Sequence, residues 1–120
     1  MGRKRRGTAI HGWIIIDKPG GLSSNAVVGR VRRLTGAAKV GHGGTLDPMA
    51  TGVLPMALGE ATKIVSYLMD GAKAYRFTVR WGEQRDTDDA EGEPVTRNEF
   101  RPGRGVVEAA LRQFTGRIEQ

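Results

Sequence analysis

Residues 41–55, GHGGTLDPMATGVLP, hold most of the candidate chemistry of this chain. Four glycines and two prolines in fifteen positions are too many for a helix interior or an ordinary strand. The run predicts a stiff loop built around one carboxylate, Asp47. Pro48 fixes its own backbone and biases Asp47 toward extended geometry. Gly43 and Gly44 let a bulky partner come close to the main chain. A lone aspartate held this way can serve as a nucleophile or a general base without metal or cofactor.

Other chemistries fit less well. A phosphate cradle needs Lys followed by Ser or Thr after its last glycine, or three spaced glycines opening a helix. Gly41, Gly43 and Gly44 provide neither. A metal centre needs several convergent ligands, whereas His42 and Asp47 are two and His11 is distant in sequence, so no metal is expected. The acidic stretch DTDDAEGE (residues 86–93) fails the EF-hand pattern, because Ala90 and Glu91 occupy its fifth and sixth positions. It reads as a solvated turn. An ordinary tight turn is the plain alternative for residues 41–55 as well. Against it stand the rigidity around Asp47 and the lack of another catalytic candidate.

The rest of the chain must position that loop. Its 120 residues suffice for one small domain, and 18 glycines imply much turn and loop. With no cysteine, disulfide scaffolds, zinc fingers and thiol catalysis are excluded. No apolar run approaches a membrane span or a signal-peptide core, so a cytoplasmic, membrane-free protein is expected. The net charge of +6 is uneven: residues 1–40 carry nine Lys/Arg against one acid, residues 81–120 six against nine. A basic first third suits a polyanion, although GRKRRG alone could be a solubilising tail. A second cluster, Arg30, Arg32 and Arg33 on an expected helix, favours nucleic acid.

Residues 1–10 read as a basic disordered tail, and residues 11–120 as the folded portion. GWIIIDKP reads as a buried strand stopped by Pro19. The next segment is a helix with Ser23 or Ser24 as cap, Val27, Val28, Val31 and Leu34 as its apolar stripe, and Gly36 at its end. VLPMAL is a short strand or extended segment, with Pro55 arguing against a regular central strand. Ile64, Val65, Leu68 and Met69 have helical spacing. KAYRFTVRW alternates as a strand, with Tyr75, Phe77, Val79 and Trp81 on one face. A short strand around Val95 precedes a last helix with Val107, Ala110, Leu111 and Phe114 on its apolar face. GRIEQ reads as the start of a further strand, which suggests a fragment. The mixture predicts an α+β fold with a mixed, largely antiparallel sheet and flanking helices.

Residues 41–64, GHGGTLDPMATGVLPMALGEATKI, closely resemble the signature of the TruB family of tRNA pseudouridine synthases, G-H-x-G-T/A-L-D-P-x-A-T-G-x-L. GWIIIDKPGGLSSNAVV resembles the family's D-K-P-x-G-x-[ST]-S motif, and KAYRFTVRWGEQRDTDDAEG its tyrosine segment and D-T-x-D-x-x-G turn. The resemblance runs in order from about residue 11 to residue 120. Departures are few: Gly43 stands where threonine is commonest, and Trp13 is an unusual choice.

The resemblance implies isomerisation of uridine 55 in the tRNA T-loop to pseudouridine, with no cofactor, on a T-arm substrate and without a required protein partner, by a monomer. Asp47 falls on the catalytic aspartate, which attacks C1′ or removes the C2′ proton. The target nucleotide must be flipped out, at roughly a few kcal/mol. His42 falls on the residue that organises the space left by the flipped base, and Tyr75 on the tyrosine that lies against the uracil. Lys18 and Pro19 would buttress the aspartate loop, with Gly44 part of it, and Asp89 would have a supporting role. Arg30, Arg32 and Arg33 are candidates for the RNA backbone. The resemblance also implies a second half of the catalytic domain and often an RNA-binding domain, absent from residues 1–120, so this chain alone is expected to be inactive. Two alternatives stand beside this reading: an RNA-binding module without catalysis, and a relative that works in a guide-RNA complex.

Overall fold

The strand β1 (Gly12–Lys18) alternates: Ile14, Ile16 and Lys18 turn inward, while Trp13, Ile15 and Asp17 face outward. The computed structural model, which describes residues 6–120, thus corrects the expectation of a wholly buried strand. Its antiparallel partner is β3 (Gly52–Leu58), with Ile14 opposite Met56 and Ile16 opposite Leu54. On the far side of β3 lies the short β2 (Val40–His42), also antiparallel, giving the order β1-β3-β2. One face of this sheet carries Leu54, Met56, Leu58 and Val40, and Val27 and Val31 of helix α1 (Ser24–Thr35) join them in the core. Each such side chain contributes about 1.5–3 kcal/mol on burial. On the opposite face Ile15 and Val53 remain 63% and 70% exposed, whereas Ala57 is fully buried, so that face is covered only at one end.

Pro55 was expected to keep its segment from being a central strand, yet β3 is central. The ladder shows how the imino acid is tolerated. The Pro55 carbonyl accepts the Gly43 N–H at 2.7 Å, so Pro55 directs its backbone polar groups toward β2. Regular β2 pairing ends one residue earlier, at His42 opposite Met56. The missing proline N–H therefore costs no ladder bond within β2, and the chain leaves the sheet there as the loop.

Helix α1 begins where expected. Ser23 is the cap, its hydroxyl accepting the Ala26 N–H at 3.0 Å, and Gly36 (φ 67°) closes the helix in the left-handed region that favours glycine. Leu34, expected on the apolar stripe, is 87% exposed. The chain turns at Gly36, and Ala37 completes the core in its place. The expected disordered tail also needs correction. Residues 1–5 lie outside the described residues, but Thr8 bridges to Ala37, donating to the Gly36 carbonyl (2.7 Å) and accepting the Ala38 N–H (2.9 Å). Ile10 packs against the core. The helical pattern after β3 is split between a 3-10 turn (Gly59–Lys63) and a short α2 (Val65–Met69), because Ile64 (φ −113°, ψ 11°) leaves helical geometry.

The chain divides into two units, the first ending at Lys73 and the second running Ala74–Gln120. In the second, β4 (Glu83–Arg85) and β5 (Pro94–Arg97) pair antiparallel with a bulge between Gln84 and Arg85. Helix α3 (Arg104–Leu111) ends in a 3-10 turn, Arg112–Phe114. The strand expected over KAYRFTVRW is not formed: residues 74–80 have no regular secondary structure, and Tyr75, Phe77, Val79 and Trp81 are exposed. A strand needs a neighbour for its N–H and C=O groups, and no described strand pairs with this segment. The apolar face expected on the last helix is likewise open, with Val107 only half-buried. GRIEQ forms no strand. The class remains α+β with antiparallel sheets, as the sequence predicts.

Candidate active site

Asp47 opens a turn closed by the Ala50 N–H, which donates to the Asp47 carbonyl at 2.9 Å. Aspartate at the first position and proline at the second are favoured in such turns. The main chain on either side is pinned from other elements. Before it, Ser24 at the start of α1 donates its hydroxyl to the Leu46 carbonyl and accepts the Leu46 N–H, each at 3.0 Å. After it, the Pro48 carbonyl accepts the Gly21 N–H (2.7 Å) and the Lys18 ammonium (3.1 Å). The backbone is fixed while the Asp47 side chain is exposed to solvent, an arrangement that preorganises a carboxylate and leaves it free to meet a substrate.

Lys18 is fully buried at the end of β1. Its Nζ donates to three carbonyls: Leu22 (2.7 Å), Pro19 (2.9 Å) and Pro48 (3.1 Å). A buried ammonium is costly unless its donors are used, and here all three are. The cation thereby ties the turn after β1, with the exposed Pro19, to the aspartate turn.

His42 ends β2 on the same face as Val40. Its Nδ1 is buried and has no hydrogen-bond partner among the described residues. A buried, unpaired nitrogen costs about 1–3 kcal/mol and marks a site worth explaining. Gly43 is buried, and a Cβ there would come within 3.3 Å of the Pro55 ring and 3.5 Å of Val65. Its role is thus close packing of the loop base rather than room for a ligand. Gly44 (φ 138°) has open space around it and lies in a region that favours glycine.

The structure therefore brings Lys18, Pro19, Asp47 and Pro48 together, with His42 and Gly44 on the stem of the same loop. Tyr75 and Asp89 belong to the second unit. Tyr75 is exposed. Asp89 accepts the Thr87 hydroxyl (2.6 Å) and the Glu91 N–H (2.8 Å). These bonds, the Thr87 one foremost, hold its carboxyl below the usual aspartate value. With Asp86 accepting the Glu93 N–H (2.9 Å), the acidic stretch staples its own turn. Arg30, Arg32 and Arg33 are exposed on α1. Sequence reasoning missed Ser24, treating it only as an alternative cap. The signal was the pair Ser23–Ser24: one serine caps the helix, and the other, buried, is free to hold a second segment.

The family model described as TruB family pseudouridylate synthase (N terminal domain) matches residues 32–120. The chain belongs to that family. The match spans the aspartate loop and the whole second unit. The tRNA pseudouridine synthase B of Rhodospirillum rubrum is 61% identical over 120 residues, all of this chain and 39% of that protein. Its namesake in Brucella ovis is 56% identical over 117 residues, 98% of this chain and 36% of that protein. These alignments include the turn after β1, which precedes the family match. The chain thus spans well under half the length of these curated TruB relatives. A solved H/ACA ribonucleoprotein bound to a substrate RNA containing 2′-deoxyuridine is 35% identical over 56% of this chain and 24% of its own, with a TM-score of 0.45. No three His, Asp or Glu side chains cluster in metal-binding geometry among the described residues, and no described helix is long and apolar enough to cross a membrane.

Proposed function

We propose that this chain is the aspartate-bearing part of a tRNA pseudouridine synthase, acting on uridine 55 of the T-loop in the cytoplasm as a monomer without a protein partner. The observation that carries the reading is the exposed Asp47 carboxylate on a backbone clamped from both sides by Ser24 and the buried Lys18. In this reading the uridine is flipped out of its loop, and Asp47 acts on its ribose. It either attacks C1′ as the uracil leaves through N1, or takes the C2′ proton to give a glycal. The uracil turns while held and rejoins through C5, and the C5 proton is released to water. The net change is an isomerisation, with no atoms gained and no electrons transferred. His42 lines the space left by the base. Tyr75 supplies a ring for the uracil, a contact worth about 1–3 kcal/mol by analogy with base–aromatic stacking.

The test uses the full-length protein and a T-arm RNA tritiated at uracil C5. The wild type releases tritium to water. Asp47→Asn reduces release by on the order of 10³-fold or more, as loss of a principal catalytic group does, while RNA affinity is retained. RNA binding without release by the wild type would instead support the RNA-binding module. Release dependent on an added guide RNA would support the guide-RNA relative.

A further inference from the structure

We propose that Arg6 and the carboxy-terminal end of α1 form one RNA-phosphate-binding surface, set apart from Asp47 by the length of that helix. The proposal rests on the reading that RNA is the substrate, and it adds where the RNA is gripped away from the reacting nucleotide.

The joining element is the Thr8 bridge. Thr8 is tied to Gly36 and Ala38, immediately after α1. Arg6, exposed and two residues before Thr8, is thereby brought to the helix end that carries Arg32 and Arg33 in its last turn. In sequence Arg6 is directly preceded by Arg3, Lys4 and Arg5. Arg6 and the arginines of α1, more than twenty residues apart in the chain, become neighbours through this pairing.

The arginines are disposed for an extended polyanion. Val31 points into the core. At about 100° per residue, Arg30 and Arg32 flank it on either side and Arg33 lies near the opposite face. Three guanidinium groups thus fan around the solvent side of the helix end, which suits a phosphate backbone better than one small anion. Among the described residues no carboxylate pairs with them. Residues 1–46 contain a single acid, Asp17. The ion pairs among the described residues are Lys63–Glu60, Arg85–Glu83, Arg97–Glu83 and Arg104–Glu108, and none uses these arginines. Favourable placement at the negative end of the helix dipole accounts for Arg32 and Arg33. It accounts neither for Arg30, before the last turn, nor for Arg6, which arrives from another segment.

The opposite end of α1 belongs to the aspartate loop, because Ser24 holds Leu46 there. Arg32 and Arg33 lie eight and nine residues further along, about 12–14 Å at 1.5 Å per residue. RNA with a nucleotide at Asp47 must therefore extend along α1 to reach this surface.

The experiment measures binding of T-arm RNA by the full-length protein across a salt series. With R30Q/R32Q/R33Q, the slope of log affinity against log salt falls by about 2–3, at roughly 0.7–0.9 per lost phosphate contact. R6Q lowers it by about 0.7–0.9, and R30K/R32K/R33K retains the wild-type slope. Thr8→Pro removes the donor to Gly36, so adding R6Q to it produces no further change. Trimming the RNA stem stepwise weakens the wild type at the length where it no longer reaches the helix end, and leaves the triple variant indifferent. Circular dichroism verifies that α1 survives each substitution. An unchanged slope in the folded triple variant overturns the proposal, as does equal sensitivity of wild type and variant to trimming. Retention of the R6Q effect in Thr8→Pro overturns the joining role of the bridge. Competition of an acidic peptide with affinity equal to that of RNA would assign the surface to protein instead. The two readings fail separately: salt-dependent binding through these arginines without tritium release keeps the surface and removes the enzyme, and release with an unchanged slope does the reverse.

Discussion

The first unit builds a core on one alternating face of its strands, while the second, despite equally regular patterning, leaves its alternating face in solvent. Ile14, Ile16, Leu54, Met56 and Leu58 alternate along β1 and β3 and close a core with α1. Tyr75, Phe77, Val79 and Trp81 alternate just as cleanly, yet form no strand and stay exposed. The difference lies in neighbours. β1 finds its partner about forty residues later, and α1 covers one face of the pair. Residues 74–81 have no described strand beside them. Alternation states which side chains share a face, and it does not supply the backbone partner that makes the face real.

That contrast can be broken by truncating one residue in each unit. Leu54→Ala is expected to cost about 2–5 kcal/mol, the range for a large-to-small change in a packed core. Phe77→Ala, at a residue 78% exposed, should shift stability by less than about 0.5 kcal/mol. Thermal melts of the 120-residue chain would read both, and equal losses would show that residues 74–81 are packed after all.

Lys18 sharpens the contrast, because the first unit can bury even a cation. Lys18→Met leaves three carbonyls without their donor, and a loss of about 1–3 kcal/mol is expected. A fall in kcat should accompany it as the Pro48 side of the turn loosens. Urea titration and tritium release on the full-length protein measure the two effects, and unchanged turnover would remove Lys18 from the support of Asp47.

Ser24→Ala severs both bonds to Leu46 but not the helix cap, which belongs to Ser23. A loss of about 1–2 kcal/mol is expected, the sum of two ordinary hydrogen bonds, with helix content by circular dichroism unchanged. Ser23→Ala is the control: it should lower helix stability with less effect on turnover.

The smallest effect belongs to the second unit. The Asp89 carboxyl is held below its usual value, chiefly by Thr87. A depressed folded value means a contribution to stability that is present above the unfolded value, near 3.9, and lost as pH falls through the folded one. Thr87→Val should move the Asp89 titration upward, as followed by carboxyl-carbon NMR. A fixed midpoint would show that Thr87 is not the cause.

Much of the site was legible in the residues. Asp47 followed by Pro48 encodes a turn through local sterics alone, and Ser23 and Gly36 bound α1 through local hydrogen bonding and a left-handed cap. Pro55 was misjudged because its effect depends on which neighbour its backbone faces and where that neighbour's pairing ends. The order expected to be absent through residue 10 begins earlier, because Thr8 finds backbone partners beside Gly36.

The sequence by itself determined what local chemistry controls: the helix and its ends, the aspartate turn, the excess of positive charge in the first third, and the motifs that place the chain in its family. Tertiary structure alone decided which alternating segments became strands and that Ser24 holds Leu46. It also set the three carbonyls of Lys18 and brought Arg6, through the Thr8 bridge, to one end of α1. The physical reason is that backbone pairing and burial depend on groups far along the chain, whereas turns and caps are satisfied within a few residues.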